Sequence, residues 1–122
     1  MLVIRNEQIK AFEPVLLDSY IERETEYTAS AWPDIASLYP GREGLREFVS
    51  TCIRKAVALG FRDRGQLRKL LDWECGFGEG FSEKPEWAWL RLILEKDIDP
   101  ASRIFRIENR LEKLRESGGL PT

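Results

Sequence analysis

Cys52 and Cys75 are the only thiols in this 122-residue chain, and it contains no histidine. The missing imidazole removes the commonest general base, the commonest metal ligand and every nucleophile triad built on one. Two separated thiols complete a zinc site only with carboxylates or a second chain. Each cysteine stands in an apolar helical pattern, so both read as small buried hydrophobes, and a reducing compartment argues against a Cys52–Cys75 disulfide. No metal and no cofactor are expected.

Close carboxylates occur at Asp72/Glu74 and at Glu22/Glu24/Glu26. General acid–base work would need one of them in a cleft with its proton held. Among 21 acidic residues, such pairs read more simply as solvated faces. The segment Phe77-Gly78-Glu79-Gly80-Phe81 has the outline of a phosphate loop. It follows a helical pattern instead of a strand, carries no lysine, and lies among Asp72, Glu74, Glu79 and Glu83, which would repel phosphate. A turn that docks two phenylalanines fits it better. The chain is therefore not expected to be an enzyme.

Charge is unevenly spread. Residues 54–69 hold six bases (Arg54, Lys55, Arg62, Arg64, Arg68 and Lys69) against Asp63, with acidic stretches on either side. Those bases can pair with neighbouring helices or face a partner of opposite charge. A helix ending at Gly60, then Arg64, Gln66, Arg68 and Lys69 on the next, also has the outline of a DNA-reading helix-turn-helix. The net charge of -2 and the acids downstream count against that reading.

The segment Trp87, Trp89, Leu90, Leu92, Ile93 and Leu94 is apolar on most sides of a helix. Such a helix is either central in its domain or covered by a partner, and tryptophan is favoured where partners anchor. On the partner reading, the contact residues are Trp87, Trp89 and Leu92, then Arg64 and Arg68.

The elements that would carry these residues are helical throughout. Asn6 can cap a first helix with Ile9, Phe12, Leu16 and Tyr20 at helical spacing, kinked or restarted at Pro14 and ended before Pro33. A short turn spans Asp34 to Tyr39. Leu45, Phe48, Val49, Cys52, Ile53, Ala56 and Val57 form the clearest stripe, closed by Gly60. Asp63 then caps a helix carrying Leu67, Leu70, Leu71 and Cys75, ended by the glycines at 76, 78 and 80. Pro85 opens a fifth helix to about Glu95, and Asp99-Pro100 opens a sixth with Ile104, Ile107, Leu111 and Leu114, a seam that can pack internally or against a second copy. No stretch alternates with a period of two, so at most Leu2 to Arg5 is extended. The expected fold is all-α, a compact bundle of five to six helices. One domain spans 1–116, and 117–122 forms a flexible C-terminal end. No apolar run reaches a membrane span and the start is too short for a secretory signal, so a cytoplasmic protein without a membrane partner is expected.

Several short motifs sit at the bends and ends of this pattern: Ile4-Arg5-Asn6-Glu7-Gln8, Gly60 before a helix, Gly78-Glu79-Gly80-Phe81, Pro85-Glu86-Trp87-Ala88 and Ile93-Leu94. Over roughly residues 4–107 the chain resembles small helical bacterial proteins encoded beside type VI secretion spike and effector genes. Where those proteins carry Pro-Asp after the glycine, this chain has Glu79-Gly80. The resemblance implies a non-catalytic adaptor or chaperone that binds a secretion effector or spike component. An immunity protein that neutralises a cognate toxin is the alternative, and a small DNA-binding regulator is a more distant one.

Overall fold

The computed structural model describes residues 14–119, and over that range six α-helices follow one another with no strand between them. They are α1 (Pro14–Ala31), α2 (Pro33–Ala36), α3 (Arg42–Ala58), α4 (Arg64–Phe77), α5 (Ala88–Leu94) and α6 (Pro100–Ser117). Two 3₁₀ turns, Phe81–Glu83 and Pro85–Trp87, lead from α4 into α5. The fold is all-α, as the spacing of apolar residues requires.

Local chemistry sets most of the ends. Pro33 removes a donor and disfavours a helical residue before it, and α1 stops at Ala31. The Asp63 carboxylate accepts the Gln66 amide at 3.0 Å, and Asp99 accepts the Ser102 amide at 2.9 Å. Each aspartate satisfies a donor that the first helical turn leaves unpaired. Gly60, at φ +100°, turns the chain out of α3 in a conformation that a Cβ would oppose. The fourth helix does not end at Gly76, which is helical; α4 runs to Phe77 and ends at Gly78, at φ +108°. The fifth helix also departs from expectation. Pro85 opens a 3₁₀ turn, and α5 proper spans only seven residues.

The expected N-terminal stretch (Asn6 cap, Ile9, Phe12, and any extension of Leu2 to Arg5) lies outside the described residues, as does the first of the short motifs. Within α1 the buried face is Leu17, Tyr20, Ile21, Glu24, Thr25 and Thr28, and Leu16 is exposed. Of the expected seam, Tyr20 is buried as its spacing predicts, while Leu16 faces outward and its neighbour Leu17 takes the inner position. At the other end, Ser117 is still helical and Gly118 (φ +73°) ends α6.

Packing runs in sequence: α1 on α3, α3 on α4, α4 on α6, and α6 on α5. One core links them, with Ile21, Val49, Ile53, Phe61, Leu67, Leu71, Leu90 and Ile107 fully enclosed. Arg103 is buried inside it. Its guanidinium donates to the carbonyls of Leu59 (2.8 Å) and Leu94 (2.6 Å) and lies 4.5 Å from the Phe61 ring centre. Cationic donors suit the carbonyl-rich ends of helices. One side chain of α6 thus ties the end of α3 to the end of α5, beside the groove between them.

Candidate functional site

The groove opens between α3, α4, the first 3₁₀ turn and α5. It is a cleft of about 220 Å³ whose floor is formed by Cys52, Ala56, Leu70, Phe81, Leu90 and Leu94. Ala58, Leu59 and Trp73 line its sides. Charged groups ring the mouth, and three of them, Lys55, Glu74 and Arg91, are already engaged. Lys55 Nζ lies 3.1 Å from the buried Glu74 carboxylate, whose other oxygen accepts the Gly80 amide at 3.0 Å. Arg91 donates to the Ser82 carbonyl at 3.0 Å. Glu83 and Glu95, also at the mouth, are exposed and have no ion-pair partner among the described residues.

Near this cleft, Glu74, Asp72 and the two cysteines are each engaged or buried. Glu74 is held by an ammonium and an amide. Asp72, its close neighbour in sequence, accepts the Tyr27 hydroxyl at 2.8 Å and the Trp32 indole at 2.9 Å, and so ties α4 to α1 and to the residue that follows it. Both cysteines are unbridged and buried. Burial pushes the Cys75 thiol up to about 12, from an ordinary value of 9.0, with Asp72 and Glu74 adding to the rise. Burial drives Cys52 upward as well, helped by Glu74. A thiol is nucleophilic as thiolate. Both should therefore resist iodoacetamide in the folded protein at pH 8 and react once it is unfolded in urea; fast labelling of the native chain would contradict this. The same shift has a stability consequence. The folded state favours protonated Cys75, so that contribution is complete below about pH 9 and is lost as pH rises towards 12.

No group of three or more histidine, cysteine, aspartate and glutamate side chains among the described residues could hold a metal ion. No described helix is long and apolar enough to cross a membrane.

The residues singled out as partner contacts fall into different environments. Trp87 is a core residue, 3% exposed, with ring centres of Phe77 at 4.6 Å and Phe81 at 5.0 Å. It is therefore no surface anchor: the turn before α5 rotates it inward, onto the two phenylalanines that flank the glycine loop. That loop is a turn that docks aromatic rings, as expected. Trp89 is half-buried, leaning on Trp87 at 5.9 Å and covered by the Arg110 guanidinium at 5.0 Å. Leu92 is 65% exposed on the outer side of α5.

The basic stretch is engaged within the molecule. Arg68 grips Glu24 through two hydrogen bonds, of 3.0 and 2.6 Å, and lies 3.8 Å from the Tyr27 ring centre. Lys69 pairs with Glu108, Arg54 with Asp18 and Lys55 with Glu74. Arg62 caps the Val57 carbonyl at 2.6 Å, and Arg64 is exposed with its guanidinium 5.6 Å from the Tyr20 ring centre. Of the intended contacts, Arg68 is thus committed to the fold. The helix that would have read DNA spends Arg68 on α1 and Lys69 on α6. Two acidic residues expected on solvated faces, Glu24 and Glu74, are buried instead, each because a base reaches in to meet it.

The cleft itself was not legible in the sequence. Its floor uses residues that also belong to the helical stripes, and one edge lies at the end of α5, which Arg103 tethers from far along the chain. The faint sign of it was Ala56 and Ala58 near the end of α3, where small side chains let other elements approach. Fold and site together define a small helical domain with an apolar cleft at the junction of α3, α4 and α5. Compared with protein-family models, curated proteins and solved structures, the chain matches none.

Proposed function

We propose that this chain is a non-catalytic protein-interaction module, an adaptor or chaperone for a type VI secretion effector or spike component. The observation that carries the reading is α5 itself. One side of this short helix supplies Leu90, Arg91 and Leu94 to the open cleft, while the other displays Leu92 to solvent. An exposed leucine and an apolar recess on opposite sides of one short helix offer a partner both a contact and a pocket, and a few apolar groups of this kind can dominate binding. The secretion setting rests on the resemblance of the short motifs between residues 4 and 107.

The test is affinity purification of the tagged protein from its native host, wild type against Leu92→Glu. Stoichiometric recovery of one effector or spike protein, reduced in the variant while its helical circular dichroism is unchanged, supports the reading. Recovery of no protein partner, or of nucleic acid in its place, overturns it. If the recovered partner is a toxin whose activity the chain suppresses, the role is immunity and not escort.

A further inference from the structure

Residues 22–40, the second half of α1 and all of α2, are held to the rest of the fold without an enclosed apolar side chain. Glu24, Thr25 and Thr28 are the buried residues of this stretch, and none is apolar. Tyr27, Trp32, Ile35 and Tyr39 are half-buried against the core. Leu17, Tyr20 and Ile21 anchor the chain before it, and Leu45, Phe48 and Val49 anchor it afterwards. We infer that residues 22–40 form a salt-sensitive strap, which detaches from α3 and α4 while the remaining core stays folded.

Each polar contact under the strap contributes little once both of its partners can return to water. The Thr25 and Thr28 hydroxyls donate to the carbonyls of Ile21 (2.7 Å) and Glu24 (2.8 Å), within their own helix, so they tie α1 to nothing else. Glu22 pairs with Arg42 (2.8 Å) and Arg46, and Glu26 with Arg42 (3.4 Å), all on the surface. Exposed pairs of this kind are weak, and salt screens them. Glu24 is buried against Arg68. Removing Arg68 alone strands the acid, but opening carries both into water and recovers the cost of burying them. Tyr27 and Trp32 share the Asp72 carboxylate, and Tyr39 donates to Glu79 and stacks on Phe48 at 5.5 Å. Apolar burial is the main force that closes a segment, and segments with little of it open at lower free energy than the whole fold. Closed, the strap occupies Arg42, Arg68 and Asp72. Open, it presents all three to solvent above an intact core.

The test is amide hydrogen exchange on the full chain, followed by NMR at low and at high sodium chloride. Amides of residues 26–31 should exchange at least about tenfold faster than those of Val49, Ile53, Leu67 and Leu71. Going from about 0.05 M to about 0.5 M salt should speed the strap by about threefold and leave those core amides unchanged. Glu22→Gln with Glu26→Gln should give the faster exchange already at low salt and remove most of its salt dependence. A chemical probe reads the same opening. Thr28→Cys gives up only a hydroxyl bond within its own helix. Its thiol should be alkylated by iodoacetamide in the folded protein while Cys52 and Cys75 resist.

Exchange of residues 26–31 as slow as that of Val49 and Ile53 overturns the inference, as does a Thr28→Cys thiol protected as well as Cys52. Either result would mean that α1 leaves only when the whole fold does. Strap exchange that neither salt nor the paired glutamine substitutions alter also overturns it, because charge would then not be what holds α1 down.

Discussion

Arg68→Met is expected to destabilise the fold by about 3 kcal/mol, measured by urea unfolding near pH 7. The reason lies in the asymmetry of the pair. The Glu24 side chain is only 2% exposed and the Arg68 side chain 42%, so the arginine reaches in from the surface to a carboxylate that has no other route to water. Removing the base leaves a buried acid uncompensated, which typically costs about 3–5 kcal/mol. The lower end applies because shortening a partly exposed arginine lets some water approach. Arg68 also stacks on Tyr27, whose hydroxyl donates to Asp72, so the side chain closes a chain of contacts between α1 and α4. Arg68→Lys should fall between, since an ammonium keeps the charge but neither the two-pronged grip nor the flat contact with the ring.

The decisive comparison is the double variant. Replacing both partners with methionine removes the stranded charge together with the bridge, so Glu24→Met with Arg68→Met should lie closer to wild type than Arg68→Met alone. If single and double variants unfold at the same urea concentration, Glu24 does not depend on Arg68 and the pair contributes nothing specific. The outcome also bears on function, because Arg68 was a candidate contact from its charge alone. A binding defect in Arg68→Met is uninterpretable until its stability is known.

The contrast between Arg68 and the helix stripes shows what the sequence could and could not reveal. Helical periodicity, proline, glycine and aspartate act over one to four residues, so Asp63, Asp99, Gly60 and Pro33 mark true boundaries. Side-chain pairing joins residues far apart in the chain: Arg68 to Glu24, Tyr27 to Asp72, and Arg103 to Leu59. No local pattern announces such pairs. A charged residue on a helix looks solvated until the neighbouring helix is known, which is why the burial of Glu24 and Glu74 could not be read. Trp87 failed in the opposite sense. Its composition suggested an anchor, but whether a tryptophan at a helix entrance faces inward depends on the turn before it, here two 3₁₀ turns in place of a longer helix. The cleft was hidden for the same reason. It is the space left between four elements, and no residue in it is unusual for the element it belongs to.

Trp87 therefore makes a sharp test of which tryptophan-region residues hold the fold and which are available to a partner. Trp87→Ala is expected to destabilise the protein by about 3–5 kcal/mol, the range for emptying a buried aromatic site. In a domain of this size that corresponds to a fall in Tm of very roughly 10–20 °C. Phe77 and Phe81 pack against the indole, the latter edge-on at 88°, so its loss leaves a void beneath the glycine loop and loosens the turn that supports Glu83. Leu92→Ala, one turn further along, should change stability by no more than about 0.5 kcal/mol, because that side chain already stands in solvent. Thermal unfolding followed by circular dichroism on the two variants separates the roles. A Trp87→Ala protein with a wild-type Tm would mean the indole is not seated in the core, and it would return to the list of surface anchors. With the expected result, any loss of partner binding in Trp87→Ala reports a damaged scaffold. The binding surface is then mapped with Leu92 and the cleft mouth, positions where substitution changes contact without changing the fold.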